Sequence, residues 1–246
     1  MTHISAVIIL RTWEFGETDL LVSFFASDRG RLKGVAKGAR KSRKRFANCL
    51  DLFSLVNLEF RPSERVDLHF LNSGRLVHAF PGLRSDFLSL SMASYMVELT
   101  EILFPLGVAD KEMFELLKNS FLALSNGNDA DEQRVLFEAK AMALGGYGIN
   151  LDSCCKCGRP YQGEGRAVFK LSKGGIACLR CDKESSRSPG MGPETLRLLK
   201  TIQSRPWKGL EGLHLSTRII EEMAPVLKSH IGWRVGRRLK TARYLE

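Results

Sequence analysis

Four cysteines in two close pairs constrain the fold of this chain more than any other feature. Cys154 and Cys157 are separated by two residues, as are Cys178 and Cys181, and twenty residues lie between the pairs. This spacing is typical of a tetrahedral zinc site with four thiolate ligands. Because such a site has no open coordination position, we expect one structural zinc ion that stabilises the fold and does not activate water.

The same cysteines leave three alternatives open. Cys155 competes with Cys154 as a ligand, although it lies only two positions before Cys157, which is too close for the usual zinc knuckle. Four thiols without a metal are the second interpretation. A redox-active pair is the third, although a single CxxC motif would be sufficient for that chemistry.

The residues between the two pairs predict a β-hairpin. Two apolar stretches, residues 167–172 and 176–178, flank the turn sequence Lys173-Gly174-Gly175. This hairpin brings the second pair back beside the first, so we expect a zinc ribbon over residues 151–184. Six cysteines in 246 residues, four of them in this spacing, fit a metal site in a reducing compartment better than a secreted disulfide framework.

The beginning of the chain and its apolar stretches indicate in which compartment of the cell we expect the protein. Residues 1–11 show neither a basic leader nor a small-residue cleavage site, so we expect no signal peptide. No apolar stretch approaches the length of about 18 residues that a membrane span requires. We therefore expect a cytoplasmic protein without a membrane partner, and a nucleoid-associated one if its partner is the chromosome.

Short apolar runs separated by turn signals predict an N-terminal β domain over residues 1–80. Five runs are too few for a two-sheet sandwich, and a closed barrel leaves no exposed edge, so we expect an OB-fold barrel. The predicted strands cover residues 4–13, 19–26, 31–36, 52–60 and 66–71.

After Leu83 the spacing of apolar residues changes from two to about 3.6, which predicts helices. The fold class is therefore α+β, with the OB-fold barrel followed by a helical domain over residues 81–150 and 185–246 into which the zinc ribbon is inserted. Residues 185–192 are predicted to form a linker. The predicted helices run from an N-cap at Ser85 to about residue 104, over 110–124, 131–144 and 193–204, and from 216 to about 243, with a kink at Pro225.

Two segments of the chain account for its net positive charge. The formal net charge is +10, and residues 29–45 and 228–243 contain nine and six basic residues with no acidic one. Without these fifteen charges the rest of the chain carries about −5. This concentration indicates a polyanionic partner, and nucleic acid is the foremost candidate.

The first basic segment reads GRLKGVAKGARKSRKRF from Gly30 to Phe46, a strand pattern that passes into a flexible loop. Lysine and arginine neutralise phosphates and release condensed counterions. Candidates for base stacking are Trp13, Phe15, Phe24, Phe25 and Phe46, although we expect most of them in the barrel core. A solvated loop is the alternative. The predicted phosphate-binding residues are Arg31, Lys33, Lys37, Arg40, Lys41, Arg43, Lys44 and Arg45.

The second basic segment lies at the end of the last predicted helix. In helical projection His230, Arg234, Arg237 and Arg238 share one side. We expect Arg234, Arg237 and Arg238 to contact nucleic acid or an acidic segment of a partner protein. A solvated helix face is the alternative.

Recognisable catalytic motifs are missing from the sequence. It contains no Walker A loop, no H-E-x-x-H, no G-x-S-x-G and no zinc-deaminase signature. Glu221 and Glu222 are neighbours on a predicted helix and point in different directions, so they are a weak acid–base pair. We therefore expect a protein that is not an enzyme.

The order of these features resembles the RecO family of bacterial recombination mediators, and the resemblance covers essentially the whole chain. It rests on the order and spacing of four motifs, which are GRLKGVAKGARKSRKR from Gly30, LDSCCKCG from Leu151, CLRC from Cys178 and the closing LKTARYLE. The resemblance implies an OB fold, a helical C-terminal domain and an inserted zinc ribbon. It also supports zinc ligation by Cys154, Cys157, Cys178 and Cys181, which some family members lack.

The resemblance further implies a role in DNA repair and homologous recombination through the RecF pathway. Family members bind single- and double-stranded DNA, anneal complementary strands, and work with RecR to load RecA onto strands coated by single-stranded DNA-binding protein. They also contact the acidic C-terminal tail of that coating protein. The residues alone leave three alternatives open, namely a protein-interaction adaptor, an RNA-binding OB-fold protein and a zinc-dependent hydrolase.

Overall fold

A computed structural model describes residues 2–61, 68–185, 188–237 and 239–245. The chain divides into two compact units, Met1–Asn128 and Asp129–Glu246. The first unit combines the β barrel with two helices, and the second combines three helices with a small sheet. This grouping differs from the expected boundary at residue 80, and the predicted three-part division stays a prediction.

The first unit begins with a closed barrel of five strands in the order β1-β2-β3-β5-β4. Neighbouring strands are antiparallel except β3 and β5, which are parallel and pair at Gly34–His69, Val35–Phe70 and Ala36–Leu71. This arrangement confirms the predicted OB fold. The strands are β1 (His3–Phe15), β2 (Asp19–Ala26), β3 (Gly30–Ala36), β4 (Leu55–Arg61) and β5 (His69–His78).

Alternating apolar residues fill the barrel because successive side chains on a strand point to opposite faces. On β2, Val22 and Phe24 are fully buried in the barrel core. Phe24 meets Phe60 of β4 edge to face, with 5.6 Å between the ring centroids. At the β3–β5 pairing, a Cβ atom on Gly34 would lie 2.5 Å from the Leu71 side chain, so only glycine fits there without displacing that side chain.

Two predicted strand boundaries are wrong. The fourth strand begins at Leu55, not at residue 52, because Phe53 has a positive φ of 69°, which no strand residue adopts. The fifth strand continues past residue 71 to His78, because its second half carries polar outward residues that interrupt the apolar pattern. The expected beginning of that strand, at residue 66, lies outside the described residues.

Two helices complete the first unit, α1 (Phe87–Leu103) and α2 (Lys111–Ser125). The predicted N-cap of α1 was wrong by one residue, since Asp86 accepts a hydrogen bond from the Ser89 N–H and the Ser85 hydroxyl instead donates to the Gly82 carbonyl. Helix α1 packs on the outside of the barrel, where Arg11 donates to Glu101 at 2.6 Å.

The second unit contains α3 (Ala130–Leu144), α4 (Pro193–Ser204) and α5 (Thr217–Val235). Helix α5 ends where Gly236 adopts the left-handed conformation with φ 66°, so the predicted continuation to residue 243 is wrong. A short 3-10 turn at Thr241–Tyr244 follows. Pro225 lies inside α5 and does not end it.

A four-stranded sheet in the order β6-β8-β7-β9 packs against these helices. The predicted hairpin is confirmed, since β7 and β8 are antiparallel. Part of the predicted linker forms β9, which pairs with β7. Phe169 and Ile176 of the sheet share one buried cluster with Leu199 of α4 and Met223 of α5. The strands are β6 (Asn150–Cys154), β7 (Ala167–Lys170), β8 (Gly175–Cys178) and β9 (Gly190–Met191).

Helices in the described part of the chain are all too short or too polar to cross a lipid bilayer.

Candidate metal centre and candidate nucleic-acid interface

The four predicted zinc ligands converge on one point. The sulfur atoms of Cys154, Cys157, Cys178 and Cys181 all lie within 4.8 Å of one another, and those of Cys157 and Cys178 are 3.9 Å apart. A zinc ion with Zn–S bonds of about 2.3 Å holds four tetrahedral sulfurs roughly 3.8 Å apart. The donor set and its dimensions are therefore compatible with one zinc ion.

Strand pairing and two tight turns produce this convergence. Cys154 ends β6 and Cys178 ends β8, and these two strands lie side by side in parallel. Each pair of cysteines is then closed by a turn, in which the Gly158 N–H donates to the Cys154 carbonyl and the Cys181 N–H donates to the Cys178 carbonyl, both at 2.9 Å. Gly158 has a φ of 72°, a conformation that favours glycine.

Backbone dipoles favour negative charge at the centre of the cluster. Burial raises the pKa of the Cys154 thiol, but the N–H groups of Cys157, Cys178 and Lys156 lower it more, to about 6. The Cys181 thiol has its pKa raised to about 12 because it hydrogen-bonds to Cys157 and Cys178 and so shares its proton with them. Cys154 thus ionises readily, whereas Cys181 loses its proton only when a cation takes the place of that proton among the sulfurs, and a soft divalent cation suits such a donor set.

Cys155 lies outside the cluster. Its N–H donates to the Ile176 carbonyl at 2.8 Å, and its side chain is partly exposed. The geometry therefore brings Cys154, and not its neighbour, together with the other three cysteines.

Charged contacts hold the ribbon together around the cysteines. Asp182 forms ion pairs with Lys170 at 2.6 Å and with Lys156 at 3.1 Å, and these contacts lower the pKa of its carboxyl group to about 2. Lys156 also donates to the Cys181 carbonyl at 3.0 Å. Both knuckles are thus connected through one carboxylate.

A second charged network joins the ribbon to the helices of its own unit. Arg166, just before β7, contacts Glu184 and Glu222 at 2.7 Å each. Glu222 of α5 also accepts from the Gly192 N–H at 2.7 Å and from the Thr195 hydroxyl at 2.5 Å. It therefore caps the N-terminus of α4, where a negative charge is favourable.

The eight predicted phosphate-binding residues fall into two groups. Arg31 and Lys33 lie on β3 and are partly buried, and the Arg31 side chain donates to the Phe104 carbonyl at 3.0 Å. Burial lowers the pKa of Arg31. The other six lie on residues 37–45, which are the part of the first basic segment that follows β3. From here on, the basic segment means residues 37–45. This segment follows β3 and contains a 3-10 turn at Ala39–Lys41.

Two arginines of the basic segment are occupied by contacts within the protein. Arg40 pairs with Glu14 at 3.1 Å, and Arg45 donates to the Lys37 carbonyl at 2.6 Å while its guanidinium lies 5.3 Å from the Phe46 ring centroid. Both therefore fix the path of the segment.

The remaining cations of the basic segment face solvent. Lys41, Arg43 and Lys44 are exposed, and their side chains have neither a hydrogen bond nor an ion pair among residues 2–61 and the other described ranges. Lys37 is also exposed, and its ammonium lies 5.8 Å from the ring centroid of Phe70.

Exposed aromatic side chains are available on the same unit. Trp13 and Phe15 are 41% and 50% exposed, whereas Phe24, Phe25 and Phe46 are buried, as expected for most of this set. Phe70 is 51% exposed and was missed in the sequence, where the polar residues after it obscured the strand alternation.

The predicted basic face of the last helix is wrong in two respects. His230 is fully buried, donates to the Tyr147 carbonyl at 2.7 Å, and meets Phe169 edge to face. Arg237 follows Gly236 and so lies beyond the helix. Arg234 remains on α5, with its guanidinium 6.0 Å from the Tyr147 ring. The predicted contact residue Arg238 lies outside the described residues.

Comparison with known proteins gives a consistent result over the whole chain. The family model for the recombination protein O N terminal matches residues 1–80, and the model for the recombination protein O C terminal matches residues 84–243.

Three curated relatives carry the name DNA repair protein RecO. The protein of Syntrophus aciditrophicus (strain SB) is 29% identical over 248 residues, which cover 100% of this chain and 95% of the relative. Those of Anaeromyxobacter sp. (strain K) and Syntrophobacter fumaroxidans (strain DSM 10017 / MPOB) are 31% and 36% identical, covering 97% and 84% of this chain and 94% and 83% of the relatives. With its OB-fold barrel, its helical second unit and these matches, the chain belongs to the RecO family of DNA repair and recombination proteins.

Proposed function

We propose that this protein is a recombination mediator of the RecF pathway that binds single- and double-stranded DNA and anneals complementary strands. With RecR it helps to load RecA onto DNA coated by single-stranded DNA-binding protein. Family membership supports the general role in DNA repair, and the details are our inference from the basic segment and the family resemblance.

The observation that carries this proposal is that some cations of the basic segment are paired within the protein and others are not. Arg40 and Arg45 are held by the protein, whereas Lys41, Arg43 and Lys44 are exposed and unpaired among the described residues. Free cations on a fixed backbone bind phosphates without loss of their own ion pairs, and this binding does not depend on base sequence.

Annealing follows from the neutralisation of phosphates. Two strands held by their backbones repel each other less, and their base edges remain free to pair. The reaction requires neither nucleotide hydrolysis nor a catalytic residue, so we propose that the protein is not an enzyme. Complementary strands are expected to anneal in buffer that contains no nucleotide.

We also propose that Cys154, Cys157, Cys178 and Cys181 bind one structural zinc ion. Four thiolates complete a tetrahedral site, so the ion supplies folding energy and no open position for a substrate.

The acidic, apolar tail of the coating protein needs a cation next to an apolar surface. Helix α5 offers Arg234 beside Trp233, which is 57% exposed.

Salt dependence tests the role assigned to the basic segment. In the variant Lys41→Gln, Arg43→Gln, Lys44→Gln, the log–log slope of affinity against salt for a single strand should flatten by about 2, at about 0.7 per lost phosphate contact. A control variant with glutamine at the exposed residues Lys183, Lys208 and Arg180 loses the same charge and should keep the slope. An unchanged slope in the first variant refutes the assigned role.

The mediator role is tested by annealing strands that are coated with the cognate binding protein, with and without its acidic tail. We expect annealing of coated strands only when the tail is present. Failure with both forms would refute the mediator proposal and leave DNA binding alone.

A further inference from the structure

An open cavity of about 560 Å³ lies at one end of the barrel, beside the basic segment. Its apolar part is formed by Leu20 of β2 and by Ala39, Phe46 and Leu50, all buried or partly buried. Its volume falls in the range of about 300–1,000 Å³ that is usual for sites of small organic ligands. Of the three exposed cations proposed above to contact phosphates, Lys41, Arg43 and Lys44, only Arg43 lines this space.

Polar groups also contribute to the lining. Thr12 of β1, Asn48 and Asp51 all line the cavity, and the Thr12 hydroxyl donates to the Leu50 carbonyl at 2.9 Å. Asn48 has a φ of 51°, a left-handed conformation that asparagine tolerates better than most residues. Its amide offers both donors and an acceptor, and the Asp51 carboxylate offers acceptors.

Two arginines lie at the cavity and extend from the basic segment. Arg40 and Arg43 both line it, and the second is exposed and without a partner in the described residues. A ligand that fits all three features has a flat apolar face, hydrogen-bonding groups at its edge and a phosphate attached. A nucleobase with its neighbouring phosphate has this combination.

We propose that the cavity receives one unstacked nucleobase of the strand whose phosphates contact the basic segment. This inference rests on the proposed DNA binding. The base lies on the apolar residues, its edge faces Asn48 and Asp51, and its phosphate contacts Arg43. In a single strand the cost of unstacking one base is small, so the cavity favours single strands over duplex.

A fluorescent strand tests the proposal with the unmodified protein. One probe is an oligonucleotide with a single 2-aminopurine, and the other is a strand of the same length in which every nucleotide is abasic. We expect the fluorescence of 2-aminopurine to change on binding, and the fully abasic strand to bind about fivefold or more weakly, the lower end of what one stacked base contributes. Equal affinity for intact and abasic strands would overturn the proposal.

A variant that fills the cavity gives an independent test. Ala47 is exposed and lines the cavity, so Ala47→Trp occupies the space with little effect on the core. We expect it to weaken intact-strand binding about fivefold and to leave binding of the abasic strand unchanged. Ala109→Trp, at an exposed alanine outside the cavity, is the matched control and should bind as the unmodified protein does.

Asn48→Gly removes the side-chain amide while keeping the backbone conformation, and it should reproduce part of the loss of intact-strand binding.

The experiments separate this proposal from the general DNA-binding role. If the salt slope is normal but intact and abasic strands bind alike, only the nucleobase site is refuted. If the salt slope itself does not depend on the basic segment, the proposed function fails first. The last experiment adds free deoxyadenosine monophosphate as a competitor of the bound strand. If it competes at micromolar concentration while intact and abasic strands bind equally well, the cavity binds free nucleotides and the proposal of a strand nucleobase is overturned.

Discussion

The cysteine ribbon and the basic segment are both short, turn-rich and close to a β sheet, yet their side chains are arranged in opposite ways. In the ribbon, the four cysteine sulfurs lie close to one another, and two lysines pair with one carboxylate, that of Asp182. In the basic segment, Lys41, Arg43 and Lys44 point to solvent and share no partner among the described residues. The first arrangement lowers the free energy of the fold, whereas the second leaves charge available for a ligand.

This contrast predicts that substitutions in the two regions change different quantities. Loss of a ribbon residue should change the free energy of unfolding and the metal content. Loss of an exposed cation should change DNA affinity and its salt dependence, with little effect on stability, because surface charges contribute little to folding.

The largest expected effect is in the ribbon. Cys181→Ser removes one of four ligands, so we expect the zinc content to fall from one per chain and the free energy of unfolding to drop by more than about 4 kcal/mol. Cys155→Ser, in the neighbouring residue outside the cluster, should keep the metal and change stability by less than about 0.5 kcal/mol. Metal analysis and denaturant unfolding measure both, and full zinc content in Cys181→Ser would contradict the ligand assignment.

A smaller effect is expected at the network that joins the ribbon to α4 and α5. Glu222→Gln removes a carboxylate that is 13% exposed and accepts from Arg166, Gly192 and Thr195, so we expect a loss of about 1–3 kcal/mol in unfolding free energy. Glu221→Gln, at the exposed neighbour, should have almost no effect. Comparable losses in both variants would show that the network is unimportant.

The same carboxylate gives a pH dependence whose sign is fixed. Burial raises the pKa of Glu222, but its hydrogen bonds to Gly192, Thr195 and Arg166 lower the pKa by more than burial raises it. The resulting pKa is therefore below the ordinary 4.5. The ionised form therefore stabilises the fold above pH 4.5, and this contribution is lost as the pH falls below that value. The difference in stability between the unmodified protein and Glu222→Gln should shrink in acid.

The smallest expected effect is at Phe70, beside Lys37. Phe70→Ala should weaken single-strand binding by about 1 kcal/mol, because an exposed ring stacks on unpaired bases, and should leave duplex binding and thermal stability unchanged. Phe87→Ala, at a ring that is 67% exposed on α1, is the matched control. Equal weakening for single strand and duplex would argue against stacking at this residue.

Local signals in the sequence were sufficient for much of the fold. The predicted ranges for β2 and α4 match the structure to the residue, since a turn precedes β2 and a proline begins α4. The choice of Cys154 over Cys155 followed from spacing, and the structure brings the favoured residue to the cluster. These features depend on residues that are near each other in the chain.

Features that depend on distant residues were not predictable. Gly236 was a local signal for the end of α5, but the apolar spacing of Ile231, Val235 and Leu239 continues past it and led to the wrong prediction. The burial of His230 depends on Tyr147 and Phe169, more than sixty residues away. Likewise, Arg40 differs from Lys41 because the Glu14 carboxylate and the Glu17 carbonyl are within reach of its guanidinium.

The parallel pairing of β3 with β5 is the shortest pairing of the barrel among the described residues. It has three residue pairs there, against six to eight in each antiparallel pairing, and Gly34 contributes no side chain to it. Local opening takes the least free energy where the fewest contacts must break. Amide hydrogens of Val35 and Phe70 should therefore exchange with solvent deuterium before those of β1, and a bound strand resting on Phe70 would slow that exchange.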